Sequence, residues 1–240
     1  MLHWYSMEER RKQIFEAAIE DFIETGHPIT SGRLYEQYNF GIKPAMIRRE
    51  LAALDRDKYL IQTHPSGGRT PTNKAYRLFV QSLLHKRTEQ RKRNDRLDML
   101  INEFFARHMQ LFTQELASYL NVLSVVYEPE HKVLHKSGLQ ALCQALDATS
   151  TEDILHVIRD FEHLSHRLES SSDWLENMDT VPQVFVGASP ITTSGTLSVI
   201  AEQFVIDDEH ILLLAIGPRR MNYRRSLDFF RSFDEAVHEI

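Results

Sequence analysis

Between residues 26 and 72 the sequence is cut at short intervals by residues that stop helices and make turns. Gly26 and Pro28 end one helical pattern, Asn39-Phe40-Gly41 ends the next, and His64-Pro65-Ser66-Gly67-Gly68 separates two short extended pieces. Glycine supplies left-handed backbone, and proline lacks the N–H that a helix interior needs. No long helix and no large sheet fits between such breaks. The first third must therefore fold as short helices around a small core, closed by a hairpin.

The pattern fills in those pieces. Ser6 caps a first helix, with Glu9 as its capping-box partner, and Ile14, Phe15, Ala18, Ile19, Phe22 and Ile23 form its apolar stripe. A second helix is expected over residues 31–38, with Thr30 as cap and Leu34, Tyr35 and Tyr38 inward. A third begins near Pro44, a residue suited to the first helical position, and turns Ile47, Leu51 and Leu54 inward. Extended pieces at 59–63 and 69–71 flank the glycine turn. A fourth helix from Thr72 or Asn73 carries Tyr76, Leu78, Phe79, Val80, Leu83 and Leu84. Three helices, a Gly-tipped hairpin and a further helix are the layout of a winged helix-turn-helix.

Beyond residue 85 the pattern changes. Residues 85–96 are almost wholly polar and read as a solvated segment, and 97–120 read as one long amphipathic helix. Residues 121–127 are strand-like, Glu128-Pro129-Glu130 is a break, and helices are expected at 138–146 and 151–168. Strands follow at 181–187, 196–206 and 210–217, the last two joined by a hairpin turn at Asp207-Asp208-Glu209, and a final helix covers 223–237. The sum is a small α/β domain with helices against an antiparallel-leaning sheet, and the whole chain is α+β.

Charge separates the same two regions. The chain carries a net −6, but residues 1–96 hold 18 Lys/Arg against 12 Asp/Glu, whereas residues 97–240 hold 10 against 22. A basic half can approach phosphate and an acidic half cannot. In the helical corner the third helix enters the major groove. With Ile47, Leu51 and Leu54 facing the core, its outer face centres on Ala45 and Arg49, with Met46 and Arg48 at the flanks and Lys43 at the tip. Arginine pairs bidentately with guanine or clamps phosphate. In the wing, Arg69 follows a glycine pair and is placed to reach a minor groove or phosphate. Lys43, Ala45, Met46, Arg48, Arg49, Arg69 and Lys74 are the candidate DNA-binding residues.

Residues 8–85 resemble the N-terminal domain of the heat-inducible transcription repressor family HrcA. The stretches IFEAAIEDFIETGHPITSGRL, AMIRRELAALDRDKYL and HPSGGRTPTNKAYRLFV carry the resemblance, and SGGRTPTNKAYR is the most specific run among them. KSGLQAL, VGASPI and LLAIGPRRMNYRRSLDFF are similar to later family pieces, in the expected order. The resemblance implies a repressor of chaperone genes that binds an inverted-repeat operator in double-stranded DNA as a homodimer. It implies a GroE-type chaperonin as regulator and a second domain similar to a GAF domain. On this reading residues 1–85 are the winged helix-turn-helix, 86–120 a charged linker and connecting helix, and 121–240 a truncated GAF-like regulatory and assembly domain. The sequence departs from the family pattern where VLSVVYEPEHKVLHKSGLQAL runs straight from a strand to a helix, without the dimerisation insert. An alternative dimer contact is then helix 97–120 or the final helix. The outer face of the third helix also differs, with Lys43, Pro44, Met46 and Arg49 where the family favours small polar residues.

Other chemistry finds little support. No GxxxxGK[ST] or GxGxxG pattern, no G-x-S-x-G elbow and no paired carboxylate site is present, so neither an enzyme nor a cofactor is expected. Among the twelve histidines, His131 and His135 are four apart but fall in the loop expected after Pro129 rather than on a helix, and His163/His166 have no Cys or third ligand nearby in sequence, so no metal site is expected. Cys143 sits on an apolar helix and is expected to be buried and inert. Ser189, Thr192, Thr193 and Ser194 read as a turn. The absence of a signal sequence or a membrane-length apolar run predicts a cytoplasmic protein. Two rival readings remain: a winged-helix regulator with a different operator whose second domain senses a small molecule or a protein, and an adaptor that uses the winged helix for protein contacts.

Overall fold

The computed structural model describes residues 7–62, 67–85, 95–146, 151–178 and 181–238. The chain divides into two compact units, Met1–Lys86 and Arg87–Ile240. The first contains helices α1 (Glu9–Thr25), α2 (Ser31–Gln37) and α3 (Pro44–Arg56), strands β1 (Leu60–Gln62) and β2 (Arg69–Pro71), and helix α4 (Asn73–His85). Ile14, Phe15, Ile19, Leu34, Ile47, Leu51, Leu54 and Phe79 are fully buried around Tyr59, whose ring meets Phe15 edge to face at 5.7 Å. Gly26 ends α1 in the left-handed conformation, its N–H donating to Phe22 O. Thr30 caps α2 by accepting from the Arg33 N–H. Ser6, the expected cap, lies outside the described residues, and α1 begins at Glu9 with Glu8 at its cap position; residues 63–66 also lie outside the described residues.

Tyr35 departs from expectation. Helix α2 is only two turns long and buries Leu34 alone among its apolar residues, which leaves the adjacent Tyr35 half exposed. Successive helical side chains diverge by about 100°, so the two cannot face the same core.

The second unit is a five-stranded antiparallel sheet of order β4-β3-β7-β6-β5 with helices on both faces. Its strands are β3 (Leu123–Glu128), β4 (Val133–Ser137), β5 (Gln183–Val186), β6 (Leu197–Ile206) and β7 (Glu209–Pro218). Its helices are α5 (Asp95–Phe105), α6 (Met109–Leu120), α7 (Leu139–Ala145), α8 (Thr151–Glu162), α9 (Leu164–Ser170), α10 (Ser172–Glu176) and α11 (Tyr223–His238). The pleat sends Leu123, Val125, Val199, Leu212, Leu214 and Ile216 to one face, where Leu142, Val157, Leu164 and Leu168 from α7, α8 and α9 cover them. Phe204 on the other face joins Phe104, Phe112 and Phe233 of α5, α6 and α11, with ring centroids 4.9–6.2 Å apart.

Four expectations are corrected here. The single helix over 97–120 is two helices, because Arg107 takes the left-handed conformation (φ 58°) and the chain turns. Such backbone costs roughly 1–2 kcal/mol for a side-chain-bearing residue, and here Arg107 is paired with Asp207 and Glu209. The run after Tyr127 is not straight: Pro129–Lys132 form a hairpin turn, and β4 pairs with β3 before α7 begins. The helix expected over 151–168 breaks at His163, and Arg167 of α9 folds back on Asp160 of α8 at 2.6 Å. Cys143 is half buried rather than enclosed. In addition, the apolar residues of α5, α6 and α11 are buried against one another and the sheet. No described helix is long and apolar enough to cross a membrane.

Candidate nucleic-acid interface

Helix α3 is built to present one face. Lys43 precedes it in extended conformation and Pro44 fills its first position. Ile47, Leu51, Ala53 and Leu54 are buried, which turns Ala45, Met46, Arg48 and Arg49 outward, all of them exposed together with Lys43. The helix is fixed from behind: Arg11 of α1 donates to Glu50 at 2.7 Å, and Asp57 donates its N–H to Ala53 O. That charged hydrogen bond holds the Arg11 guanidinium above its ordinary value. No ion pair or hydrogen bond engages the side chains of Lys43, Arg48 or Arg49 among the described residues. Five of the seven expected DNA-binding residues thus share one surface at the start of α3.

The other two lie elsewhere. Arg69 opens β2, and its side chain is only 14% exposed. Its guanidinium lies 3.5 Å from Asp55 and donates to Gln62 at 3.3 Å. Lys74 donates to Asp57 O at 2.8 Å and sits over the Tyr59 ring at 4.3 Å. Both cations brace the β1–β2 ribbon against the end of α3. Asp55, in the last turn of α3, is the partner that turns Arg69 inward. Nothing in the sequence pairs these two, because the pairing depends on the register of a three-residue strand.

The ribbon itself is pinned to the loop before α2. Ile29 and Arg69 exchange both backbone hydrogen bonds, at 2.8 and 2.9 Å. Gly68 permits this approach, since a Cβ there would lie 2.7 Å from Pro28 Cβ and 2.8 Å from Ile29 O. Thr72 then ties the ribbon to α4, donating to Lys58 O and accepting from the Ala75 N–H. Arg33 completes the frame by pairing with buried Asp21 at 2.9 Å.

Comparison with known proteins bears on this geometry. Residues 69–227 match the family model described as HrcA protein C terminal domain. The heat-inducible transcription repressor HrcA of Clostridium botulinum (strain Eklund 17B / Type B) is 31% identical over 159 residues, covering 65% of this chain and 45% of that protein. The heat-inducible transcription repressor HrcA of Staphylococcus haemolyticus (strain JCSC1435) is 29% identical over 207 residues, 84% of this chain and 62% of its own length. That of Bifidobacterium animalis subsp. lactis (strain AD011) is 50% identical over 74 residues, 31% of this chain and 20% of the relative. The chain thus spans less than two thirds of the length of these relatives. A crystal structure described as that of a hypothetical protein shares the fold, with a TM-score of 0.75 at 15% identity over 98% of both chains.

Proposed function

The chain belongs to the HrcA family, and from that premise we infer that it is a DNA-binding transcription repressor whose first unit acts as a winged helix-turn-helix. The observation that carries this reading is the exposed, unpaired set of Lys43, Arg48 and Arg49 on α3, opposite the buried Ile47, Leu51 and Leu54. In this reading α3 lies in the major groove of duplex DNA. Ala45 is short enough to let the helix approach, and Met46 offers an apolar surface to a thymine methyl. Arg48 and Arg49 present planar forks that match guanine edges or phosphate. Arg69 and Lys74 position the ribbon rather than touch DNA, since both are engaged within the unit.

The second unit, read as GAF-like, joins two copies so that paired α3 helices meet an inverted repeat. It is also where a GroE-type chaperonin would bear on repression. The test is a titration of the purified chain at two salt concentrations against the family's inverted repeat and a scrambled duplex. Binding to the repeat is expected to be at least about 10³-fold tighter and to weaken linearly in log–log form as salt rises. Equal affinity for the two duplexes would overturn the operator reading, and a flat salt dependence would overturn DNA binding itself.

A further inference from the structure

At one end of the second unit's sheet, two turns far apart in sequence meet. The β3–β7 register ends at Tyr127 opposite Leu212. Alternation then places Glu128 and Glu209 on the aromatic-covered face, at the same rim. The β3–β4 turn brings His131 over them. Its Nε2 lies 2.8 Å from Glu209 Oε1, and the ligand atoms of Glu128, His131 and Glu209 all lie within 4.8 Å of one another. The sequence hides this cluster, because it joins donors near residue 130 to a donor near residue 209.

The surroundings orient these donors. Arg107, from the α5–α6 turn, holds Glu209 Oε2 at 3.1 Å and leaves Oε1 directed at His131. His135 Nε2 lies 3.5 Å from Glu128 Oε1. A cation bound between one imidazole and two carboxylates needs each carboxylate fixed through its own outer contacts, and both are so fixed here.

We propose that Glu128, His131 and Glu209 bind a divalent transition-metal cation, zinc by preference, with solvent completing its coordination. Zinc takes nitrogen and oxygen ligands at about 2.0–2.2 Å, which in tetrahedral geometry sets the donor atoms about 3.4 Å apart. Reaching that spacing opens the His131–Glu209 pair from 2.8 Å and adjusts the other two contacts from within 4.8 Å, which side-chain torsions alone can supply because His131 is exposed and both carboxylates are partly so. An imidazole ligand favours zinc over magnesium and calcium, which prefer all-oxygen donor sets. Bound metal would clamp the β3–β4 turn to the start of β7 and so tie the two hairpins together.

The experiment is calorimetric titration of the untagged, chelator-stripped full chain with zinc chloride, alongside thermal melts. One equivalent is expected to bind and to raise the melting temperature. His131→Ala and Glu209→Gln should each weaken binding at least tenfold, while magnesium neither binds nor competes. His131 lies in an exposed turn, so the metal-free melting temperature of His131→Ala should match the parent and separate lost binding from lost folding. No saturable zinc binding would overturn the proposal. Binding of parental strength in both variants would overturn it too, because it would place the ion at others of the chain's twelve histidines.

Discussion

The second unit buries one carboxylate on each side of its sheet, and the two are treated in opposite ways. Asp160 of α8 accepts from the Thr193 and Ser194 N–H groups, the Thr193 hydroxyl and the Arg167 guanidinium. Burial alone would raise this carboxyl, but those donors hold it below its ordinary value. Glu202 of β6 is fully buried on the opposite face, and neither of its oxygens has a hydrogen-bond partner. Burial first, and Asp234 second, push it up to about 9. The difference lies in the backbone nearby. Asp160 faces a loop whose N–H groups are unclaimed by secondary structure. Glu202 sits in the β6–β7 ladder opposite Leu213, and no described donor reaches either of its oxygens. Equal burial thus yields an ionised group on one face and a neutral one on the other.

Breaking the satisfied side should have the largest effect. Asp160→Ala leaves Arg167, half buried, and three loop donors without their acceptor, and should destabilise the second unit by about 3–5 kcal/mol. Urea unfolding followed by Trp174 emission, in a Trp4→Phe background, measures it. A loss below about 1 kcal/mol would mean that the loop holds itself and that Asp160 is incidental.

Repairing the unsatisfied side should help, by an amount that depends on pH. Below the ordinary glutamate value of 4.5, folded and unfolded chains both carry the proton and nothing is lost. As pH rises from there toward about 9, the unfolded chain ionises while the folded chain stays neutral. Stability should therefore fall by roughly 1.4 kcal/mol for each pH unit in that window, and level off above it. Glu202→Leu should remove this slope and gain roughly 3–4 kcal/mol near neutrality. Denaturant titrations at two pH values within the window measure the slope. An unchanged slope in the variant would show that groups other than Glu202 set the pH dependence.

The same contrast explains what the sequence could and could not reveal. Local signals were legible: Gly26 as a helix stop, Thr30 as a cap, Pro44 as a helix start, and the 3.6-residue spacing of Ile47, Leu51 and Leu54. The exposed cation face of α3 followed directly from that spacing. The break at Arg107 was not legible, because Phe104 and Phe112 are spaced as if one helix ran through. Strand β4 was missed because it is a short, polar edge strand with no buried face. The loop partners of Asp160 lie 33 and 34 residues away, and those of Arg69 depend on strand register. Such pairings belong to tertiary structure and leave no periodic trace. The rim cluster of Glu128, His131 and Glu209 was invisible for the same reason.

The smallest expected effects concern charge that is unpaired but exposed, as on α3. An exposed cation without a partner costs little in stability, because water solvates it, so mutating it should register in binding alone. Within that set, Arg and Lys should differ. Arg48→Ala and Arg49→Ala should each cost about 1–3 kcal/mol on the specific duplex and relax preference at one base position, if their forks read guanine. Lys43 stands at the α3 N-terminus, where backbone N–H groups and the helix dipole already favour an anion. Its ammonium is a compact charge suited to phosphate rather than to a base edge. Lys43→Ala should therefore weaken binding to every duplex by a similar factor, lower the salt slope by about 0.9, and leave the ratio of specific to scrambled affinity unchanged. Parallel titrations of the three variants at several salt concentrations measure both quantities. A collapse of the specificity ratio in Lys43→Ala, with its salt slope intact, would move base reading to the tip of the helix and leave the two arginines as the phosphate clamp.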